Sequence, residues 1–410
     1  MRWLVVGLLL FATTINYLDR AILGVILPEI RERFHFGLRA YGTIQMVFQL
    51  SYGIGSLAGG KMLDRYGTRI GYFIACALWS ASAVLSAFAG STFQIGLYRA
   101  GLGLGEAANF PACSKAIAEW FPPEKRASAM GLVNTGANIA NIVGPPVFIL
   151  VALRFGWQMC FAIVGAAGFL WLPVWLYSYR ASSPAPQPES KIAAWRLRMV
   201  LKSRKAWGFA GAKFFTDPVW WFYLFWLPTY LSDVRHLSPT ERGKALTLVY
   251  LISGLGSLAG GLSADWLIRR GWNIGRARSI TMLCCALTIP LCSLGVIVNN
   301  TRLAIVLFGL ATASHQAWMA NLLTTPSDMF PASALGSVNG FGVSLGAFGG
   351  ALFSGLIPGF VIPSTGYAPV LVTMSCFYLI AWFLVSGALR ETNTPVTAPA
   401  ISHQAGHRPI

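Results

Sequence analysis

Apolar residues occupy the chain in long runs that short polar segments separate. Twelve such runs can be marked, with few charged residues inside them. A helix needs roughly 20 apolar residues to cross the hydrocarbon of a bilayer, and these runs are far too long for the strands of a membrane barrel. The pattern therefore predicts an all-α integral membrane protein with twelve transmembrane helices. In chain order, the predicted spans 1 to 12 cover residues 4–28, 41–61, 70–89, 93–118, 127–151, 157–179, 207–231, 245–267, 280–298, 303–325, 335–357 and 367–389.

Polar sequence divides the chain into two halves. Residues 181–206 combine Pro and Ser with a dense group of Lys and Arg, a composition that predicts a cytoplasmic linker with a basic amphipathic helix on the membrane surface. Residues 1–180 and 207–390 would each form a six-helix bundle. Residues 391–410 are polar and contain Pro, so we expect a disordered cytoplasmic tail.

Composition and charge fit a multi-pass membrane protein. The chain is 55% hydrophobic and 11% charged, whereas soluble domains carry about 25% charged residues. Its 31 basic and 14 acidic residues give a formal net charge of +17. Most basic residues fall on one side if the N-terminus is cytoplasmic, so the positive-inside rule predicts two cytoplasmic termini. This distribution leaves no reason to invoke a nucleic-acid partner.

Enzyme chemistry has no support in the sequence. The seven cysteines lie in apolar runs without disulfide or metal spacing, and no nucleophile motif or metal cluster is evident. We therefore predict neither an enzyme nor a cofactor. The first run is too long for a cleavable signal peptide and is interrupted by Asp19 and Arg20. The expected location is a bacterial-type inner membrane, with the protein as a monomer.

Short motifs repeat in matching order in the two halves. GSLAGG at residues 55–60 recurs at residues 256–261, and each copy is followed by an acidic and then a basic residue. The segment that begins at Phe121 is echoed by the one that begins at Phe330. Parallel six-helix halves joined by a linker are typical of two-bundle secondary transporters.

Four ionisable residues stand out in the first half. Arg99 and Glu106 are seven residues apart, about two helical turns, and so share a helix face. Asp19 and Arg20 are adjacent in span 1. Such groups each cost roughly 2.5–3.5 kcal/mol to insert and usually line a polar cavity or a proton path. The alternative is a neutralising pair that only holds helices together.

The loop GKMLDRYGTR at residues 60–69 resembles the signature between spans 2 and 3 of the major facilitator superfamily. Within that superfamily the chain is most similar to the anion:cation symporter family, and to its hexuronate-transporter-like members. The motifs that carry this closer resemblance are NYLDR at 16–20, RAGLGLGEAANFP at 99–111, WFPPEKRA at 120–127, DPVWWFYLFWLP at 217–228 and HQAWMAN at 315–321.

The resemblance implies proton-coupled uptake of a small organic anion. By motif match, the substrate or coupling positions are Tyr17, Arg20, Tyr52, Arg99 and Glu106, with Asp19 as a protonatable site. A guanidinium can grip a carboxylate through two parallel hydrogen bonds. We hypothesise that an external proton neutralises Glu106 or Asp19 and frees an arginine for the substrate.

Residues with a polar or aromatic side chain could contact a polyol, or could serve packing alone. These are Tyr17, Tyr52, His315, Gln316, Trp318 and Asn339. Packing is favoured for Trp220 and Trp221, and Lys213 and Asp217 could simply neutralise one another four residues apart. A set of charges in short loops is predicted to gate the halves, with positive-inside anchoring as the alternative. This set is Asp64, Arg65, Arg69, Asp265 and Arg269.

The sequence as a whole favours a proton symporter that imports a hexuronate, such as galacturonate or glucuronate, or a related sugar acid by alternating access. Its expected partners are the organic anion, protons and the bilayer. A symporter for galactonate, glucarate, a tartrate-like diacid or an aromatic acid remains open, and so does a non-transporting sensor of the same fold.

Overall fold

The computed structural model describes residues 2–179, 199–330 and 334–390, and all its regular elements there are helical. The tail and residues 181–198 of the linker, with its predicted basic helix, lie outside the described residues. The helices of the first half are Arg2–Val25, Leu27–Phe34, Leu38–Ala87, Thr92–Glu106, Asn109–Trp120, Pro123–Phe155 and Trp157–Ser178. Those of the second half are Arg204–Asp233, Pro239–Arg269, Ile274–Ser293, Leu294–Val296, Thr301–Leu322, Thr325–Met329, Leu335–Gly350, Ala351–Leu356, Ile357–Thr365 and Tyr367–Arg390.

The described helices fit the twelve predicted spans. Within the described ranges, nine helices are long and apolar enough to cross a membrane. The 50-residue helix Leu38–Ala87 holds both span 2 and span 3, which meet at Gly67. Gly67 has a φ of 73°, a left-handed conformation that favours glycine. The predicted loop between these spans is therefore a sharp change of direction at a single residue.

Two spans are interrupted near the middle of the bundle. Span 4 is divided between the helices Thr92–Glu106 and Asn109–Trp120, so the break follows directly after Glu106. Span 11 contains the π-helical segment Ala351–Leu356. π-Helical segments often occur at functional sites, because the wider turn redirects side chains.

The repeated glycines make equivalent helix contacts in both halves. A Cβ atom on Gly55 would lie 2.9 Å from the Cβ of Ala107 in span 4. On Gly256, the equivalent residue of span 8, it would lie 2.0 Å from the carbonyl oxygen of Ala313 in span 10. Both glycines permit two backbones to approach closely, which drives helix association in membranes. The sequence repeat therefore corresponds to a repeated packing contact.

Close backbone contacts join the two halves near the loop between spans 1 and 2. A Cβ atom on Gly42 would lie 2.7 Å from both the Gly355 carbonyl oxygen and the Gly359 Cα, so span 2 is pressed against span 11. The Tyr41 hydroxyl donates a hydrogen bond to the Phe225 carbonyl at 2.8 Å. These contacts close the interface at this end of the molecule.

Ion pairs between the halves occur at the same end. Glu29 pairs with Arg242 at 2.5 Å, and Arg31 pairs with Asp233 at 2.9 Å. The Arg242 side chain is 2% exposed and that of Glu29 is 24% exposed, so this pair is partly shielded from water. We call these four residues the inter-half latch.

Ion pairs toward the opposite end stay within one half. Lys115 pairs with Asp64 at 2.7 Å inside the first half, and Arg278 pairs with Asp328 at 2.7 Å inside the second. No described ion pair joins the halves there. The halves are thus held together at the latch end.

We predict that Gly260→Leu destabilises the protein while Gly261→Leu does not. A Cβ on Gly260 would lie 2.4 Å from the Ala317 Cα, whereas one on Gly261 meets nothing within 4 Å. Overpacking of this kind costs about 1–3 kcal/mol. The melting temperature of the purified protein in detergent should fall for the first variant and stay near the wild-type value for the second. Equal melting temperatures would contradict the packing role of the repeat.

We expect Arg242→Gln to open the latch end of the interface. The substitution removes a charge-assisted bond and leaves Glu29 without its cation, which favours a conformation in which that carboxylate reaches water. Spin-label distances between the halves at the latch end should lengthen. Lys115→Gln removes an ion pair within one half, so it serves as the matched control. Unchanged distances in Arg242→Gln would show that the latch does not hold this end of the interface closed.

Candidate functional site

A buried ion pair lies between span 1 and the break in span 4. Arg20 Nε donates a hydrogen bond to the Glu106 Oε2 at 2.9 Å, and Arg20 Nη2 lies 2.8 Å from the same oxygen in an ion pair. The side chains are 5% and 0% exposed, respectively. Arg20 Nη2 also donates to the Asn16 Oδ1 at 3.3 Å. The structure thus unites two predicted site residues, and their charge-assisted bonds are strong because water is excluded.

Aromatic rings enclose the guanidinium of Arg20. Its central carbon lies 4.7 Å from the Tyr17 ring, 4.9 Å from the Tyr52 ring and 5.0 Å from the Trp221 ring. Such cation–π contacts contribute about 0.5–2 kcal/mol each, more as water is excluded. Trp221 belongs to span 7, so the second half supplies one wall. Arg20 therefore lies at the interface between the halves.

Plain packing is the role that the sequence favours for Trp221, and the structure adds a contact of its ring with the Arg20 guanidinium. The sequence signal for this contact was the tryptophan pair in DPVWWFYLFWLP at 217–228, one of the motifs that carry the family resemblance. What the sequence could not provide was the partner, which lies in span 1 of the other half.

Arg99 binds the backbone of span 1. Its Nη1 donates to the Asp19 carbonyl at 3.2 Å, and Nη2 donates to the Arg20 carbonyl and to the Gln45 Oε1, both at 3.3 Å. The residue is 1% exposed and its guanidinium lies 4.5 Å from the Phe48 ring. These contacts orient the segment that carries Asp19 and Arg20.

Asp19 is enclosed without a donor. It is 1% exposed, and neither carboxylate oxygen has a hydrogen-bond partner among the described residues. The Glu106 Oε1 is also unpartnered within that set. Burying an ionised carboxylate without donors is costly, so these oxygens are suited to holding a proton.

The predicted residues of span 10 contact other parts of the second half. His315 Nδ1 hydrogen-bonds with the Tyr378 hydroxyl, and its ring stacks on Trp220 at 5.2 Å. Trp318 is fully buried and packs edge-on against Tyr378 at 5.3 Å. Trp318 is thus an interior packing residue in this structure.

Gln316 and Asn339 have less enclosed positions. Gln316 is half-buried on span 10, and Asn339 is exposed on span 11. Among the described hydrogen bonds and ring contacts, none joins either residue, His315 or Trp318 to Arg20.

Span 2 contributes polar residues that the sequence analysis did not select. Gln45 Nε2 donates to the Tyr41 hydroxyl at 2.8 Å. The Gln49 Oε1 accepts from Ser354 of span 11 at 3.2 Å, across the interface. Tyr41, Gln45 and Gln49 recur every four residues in an apolar run, which was the signal for one polar helix face.

The first-half residues of the predicted gate contact their own half. Asp64 pairs with Lys115, and Arg69 Nη2 donates to the Leu176 carbonyl at 2.6 Å. The Arg65 guanidinium lies 5.5 Å from the Tyr66 ring.

In the second half, Asp265 and Arg269 are exposed. Within the described ranges, the inter-half ion pairs are those of the latch. The gating role of Asp64, Arg65, Arg69, Asp265 and Arg269 thus stays a prediction.

Three transporters are similar to this chain over most of its length. The hexuronate transporter of Escherichia coli K12 is 26% identical over 410 residues, covering 95% of this chain and 94% of its own. The D-galactonate transporter of E. coli O6:H1 is 27% identical, covering 92% and 93%. The galacturonate transporter of Dickeya chrysanthemi is 28% identical, covering 64% and 81%. These relatives bear out the hexuronate-transporter-like resemblance.

A solved structure shares the fold. The bacterial homologue of the human lysosomal transporter Spinster, in its inward-facing and unoccupied conformation, superimposes with a TM-score of 0.77. The sequences are 18% identical, and the match covers 95% of this chain and 98% of the other. Together with the helical architecture described above, this likeness confirms the predicted fold class.

The family assignment rests on the length of the match. The sequence profile described as Major Facilitator Superfamily matches residues 9–354. Its members are multi-pass membrane transporters, which confirms the prediction that the chain is not an enzyme. The chain belongs to the Major Facilitator Superfamily.

Proposed function

We propose that this protein imports a small organic anion, a sugar acid, together with protons. The observation that carries the proposal is the buried Arg20–Glu106 pair at the interface of the two halves. A cation in this position can bind the substrate carboxylate, and its paired carboxylate can bind the coupling proton.

Substrate recognition follows from the groups around Arg20. A substrate carboxylate can replace Glu106 as the partner of the guanidinium, with the same charge-assisted geometry. The hydroxyls of Tyr17 and Tyr52, whose rings lie 4.7 and 4.9 Å from the guanidinium carbon, are available to sugar hydroxyls. Their rings and Trp221 present apolar faces to the carbon skeleton.

Proton coupling follows from competition for the same cation. Protonation of Glu106 removes its charge and releases Arg20 to the incoming anion. Asp19, enclosed without a donor, is the second protonatable group of the site. Loss of the proton toward the opposite compartment restores the Arg20–Glu106 pair and expels the substrate. Proton and anion thereby move together.

Alternating access would require the ion pairs of the inter-half latch to break. If both termini are cytoplasmic, as the positive-inside rule predicts, the latch lies on the external side and the structure is closed to the outside. Rocking the halves about the central site would then break Glu29–Arg242 and Arg31–Asp233. The predicted loop charges would form the corresponding contacts in the opposite state.

Relatives favour a sugar acid as the anion. The relatives described above are transporters of hexuronate, galacturonate and D-galactonate. We therefore propose galacturonate and glucuronate as the first candidate substrates. Galactonate, glucarate or another carboxylate is the alternative within the class. A sensor that transports nothing is the alternative outside it.

A counterflow experiment in proteoliposomes separates these functions. Galacturonate, glucuronate and galactonate are tested with and without an inward proton gradient. We expect exchange of at least one sugar acid, and its accumulation only when the gradient is present. Absence of exchange for a broad panel of acids would favour the sensor.

Glu106→Gln should uncouple transport. The amide cannot release a proton, so exchange should persist while gradient-driven accumulation falls by about tenfold or more. Both are measured with radiolabelled substrate in proteoliposomes. Glu119→Gln is the control, because Glu119 lies further along in the helix Asn109–Trp120 and is bonded to Thr68 and Tyr179, away from Arg20. Accumulation by Glu106→Gln at the wild-type level would exclude Glu106 as the coupling group.

Arg20→Lys should weaken substrate binding without unfolding the protein. Lysine retains the charge but loses the planar fork, so the dissociation constant should rise by about tenfold or more. Calorimetric titration measures this change. Arg39→Lys at an exposed arginine is the control. If binding were unchanged, the substrate cation would have to be assigned elsewhere.

A further inference from the structure

A continuous line of hydrogen bonds runs from Arg99 to the second half. Arg99 Nη2 donates to the Gln45 Oε1 at 3.3 Å, and Gln45 Nε2 donates to the Tyr41 hydroxyl at 2.8 Å. That hydroxyl donates to the Phe225 carbonyl of span 7 at 2.8 Å. Arg99 is 1% exposed, and Gln45 and Tyr41 are 0% exposed. We call these four residues the hydrogen-bond relay.

The chemistry of the four groups fixes the direction of the relay. A guanidinium can only donate, so Gln45 must present its oxygen to Arg99 and its NH2 group to Tyr41. The Tyr41 hydroxyl therefore accepts from Gln45, and its single proton is left for the Phe225 carbonyl. All three bonds donate toward the second half, so each polarises and strengthens the next.

The outer end of the relay lies where the two halves touch. A Cβ atom on Gly24 of span 1 would lie 2.9 Å from the Leu224 carbonyl oxygen, so the backbones of spans 1 and 7 are in close contact there. The Tyr41 ring packs edge-on against Trp226 with centroids 4.9 Å apart. The Phe225 carbonyl thus reaches Tyr41 only while the halves are closed at this level.

The inner end of the relay holds the backbone of the central site. The Nη2 atom of Arg99 that serves Gln45 also donates to the Arg20 carbonyl at 3.3 Å, and Nη1 donates to the Asp19 carbonyl at 3.2 Å. The orientation of the guanidinium is therefore shared between Gln45 and the segment that carries Asp19 and Arg20. Loss of the Gln45 oxygen would leave one Nη2 proton without its acceptor.

Separation of the halves would reverse the middle of the relay. Once the Phe225 carbonyl is withdrawn, the Tyr41 proton needs another acceptor, because an unpartnered buried donor is costly. The Gln45 side chain is already in contact with that hydroxyl, and it can accept the proton only by turning its oxygen toward Tyr41. Its NH2 group then faces the Arg99 guanidinium, donor against donor. The hold of Arg99 on span 1 weakens as a result.

We propose that Gln45 is a positioning residue, which together with Tyr41 makes the orientation of the Arg20 segment depend on closure of the halves at the latch end. The inference deepens the proposed function, since Arg20 is the proposed substrate cation. Because such coupling is reciprocal, an anion that needs the oriented Arg20 also favours closure at that end. Binding of the substrate and closure over it become one step.

Hydrogen exchange of the backbone amides in residues 16–24 tests the relay without any substrate. Tyr41→Phe removes one oxygen and keeps the ring, while Gln45→Met breaks the same line with an unbranched side chain of similar length. We expect each variant of the full-length protein in detergent to exchange about fivefold faster or more in this segment by mass spectrometry. The double variant should exchange no faster than the quicker single variant, since one break already interrupts the relay.

Ser354→Ala is the matched control. Ser354 is 0% exposed and donates across the interface to the Gln49 Oε1 at 3.2 Å, so the variant removes a neutral buried bond between spans 11 and 2 outside the relay. Exchange in residues 16–24 should stay within about twofold of the wild type. Equal acceleration by Ser354→Ala and Tyr41→Phe would mean that any inter-half bond has this effect, and would overturn the inference. Unaltered exchange in both relay variants would overturn it as well.

Glucuronate binding links the relay to the proposed function. In calorimetric titration, the dissociation constant should rise about fivefold or more in Tyr41→Phe and Gln45→Met, and stay within about twofold in Ser354→Ala. Faster exchange without weaker binding would overturn the claim that the relay serves the substrate cation. Wild-type protein that binds no sugar acid would refute the proposed function, and the exchange result would then decide on the relay alone.

Discussion

The positive charge of Arg20, buried between the two halves of the chain, is the constraint on which the central site depends. A guanidinium there needs an anion and several acceptors or ring faces, because water does not supply them. Glu106 provides the anion, and Asn16 provides a further acceptor. Arg99 fixes the backbone of the segment that carries Arg20. The break in span 4 directly after Glu106 lies at this same place.

The two halves share packing and differ in charge. Gly55 and Gly256 allow equivalent helix contacts, so both halves pack their helices through the same close backbone approach. Upon it, the first half carries Arg20 with Glu106, and the second carries Lys213 with Asp217. The first pair lies against Trp221 of the other half, whereas the second packs against Gly342 and Gly346 of its own half.

Sequence reasoning succeeded where the signal is local. Hydrophobic run length predicted the helices, and the cost of intramembrane charge drew attention to Arg20 and Glu106, which the structure pairs and whose function stays a prediction. It did not identify Trp221 as a neighbour of Arg20, or Arg242 as the partner of Glu29, because both contacts join segments about 200 residues apart. For Trp318 the sequence left packing and substrate contact both open, since an apolar helix without strong polarity gives no indication of which face is buried. The latch residues lie in the short helix Leu27–Phe34 and at the ends of two longer helices, and their charges become informative only when the halves are docked.

Trp221 has a consequence beyond shielding. It belongs to the second half, yet it forms one wall around a cation of the first. Any motion that separates the halves at this level removes that wall and admits water to the guanidinium. The local dielectric around Arg20 is thus a function of the relative position of the halves. Attraction between Arg20 and any anion is strongest with the wall in place and weakens when it is withdrawn. The movement that exposes the site to water therefore also lowers its affinity for an anion.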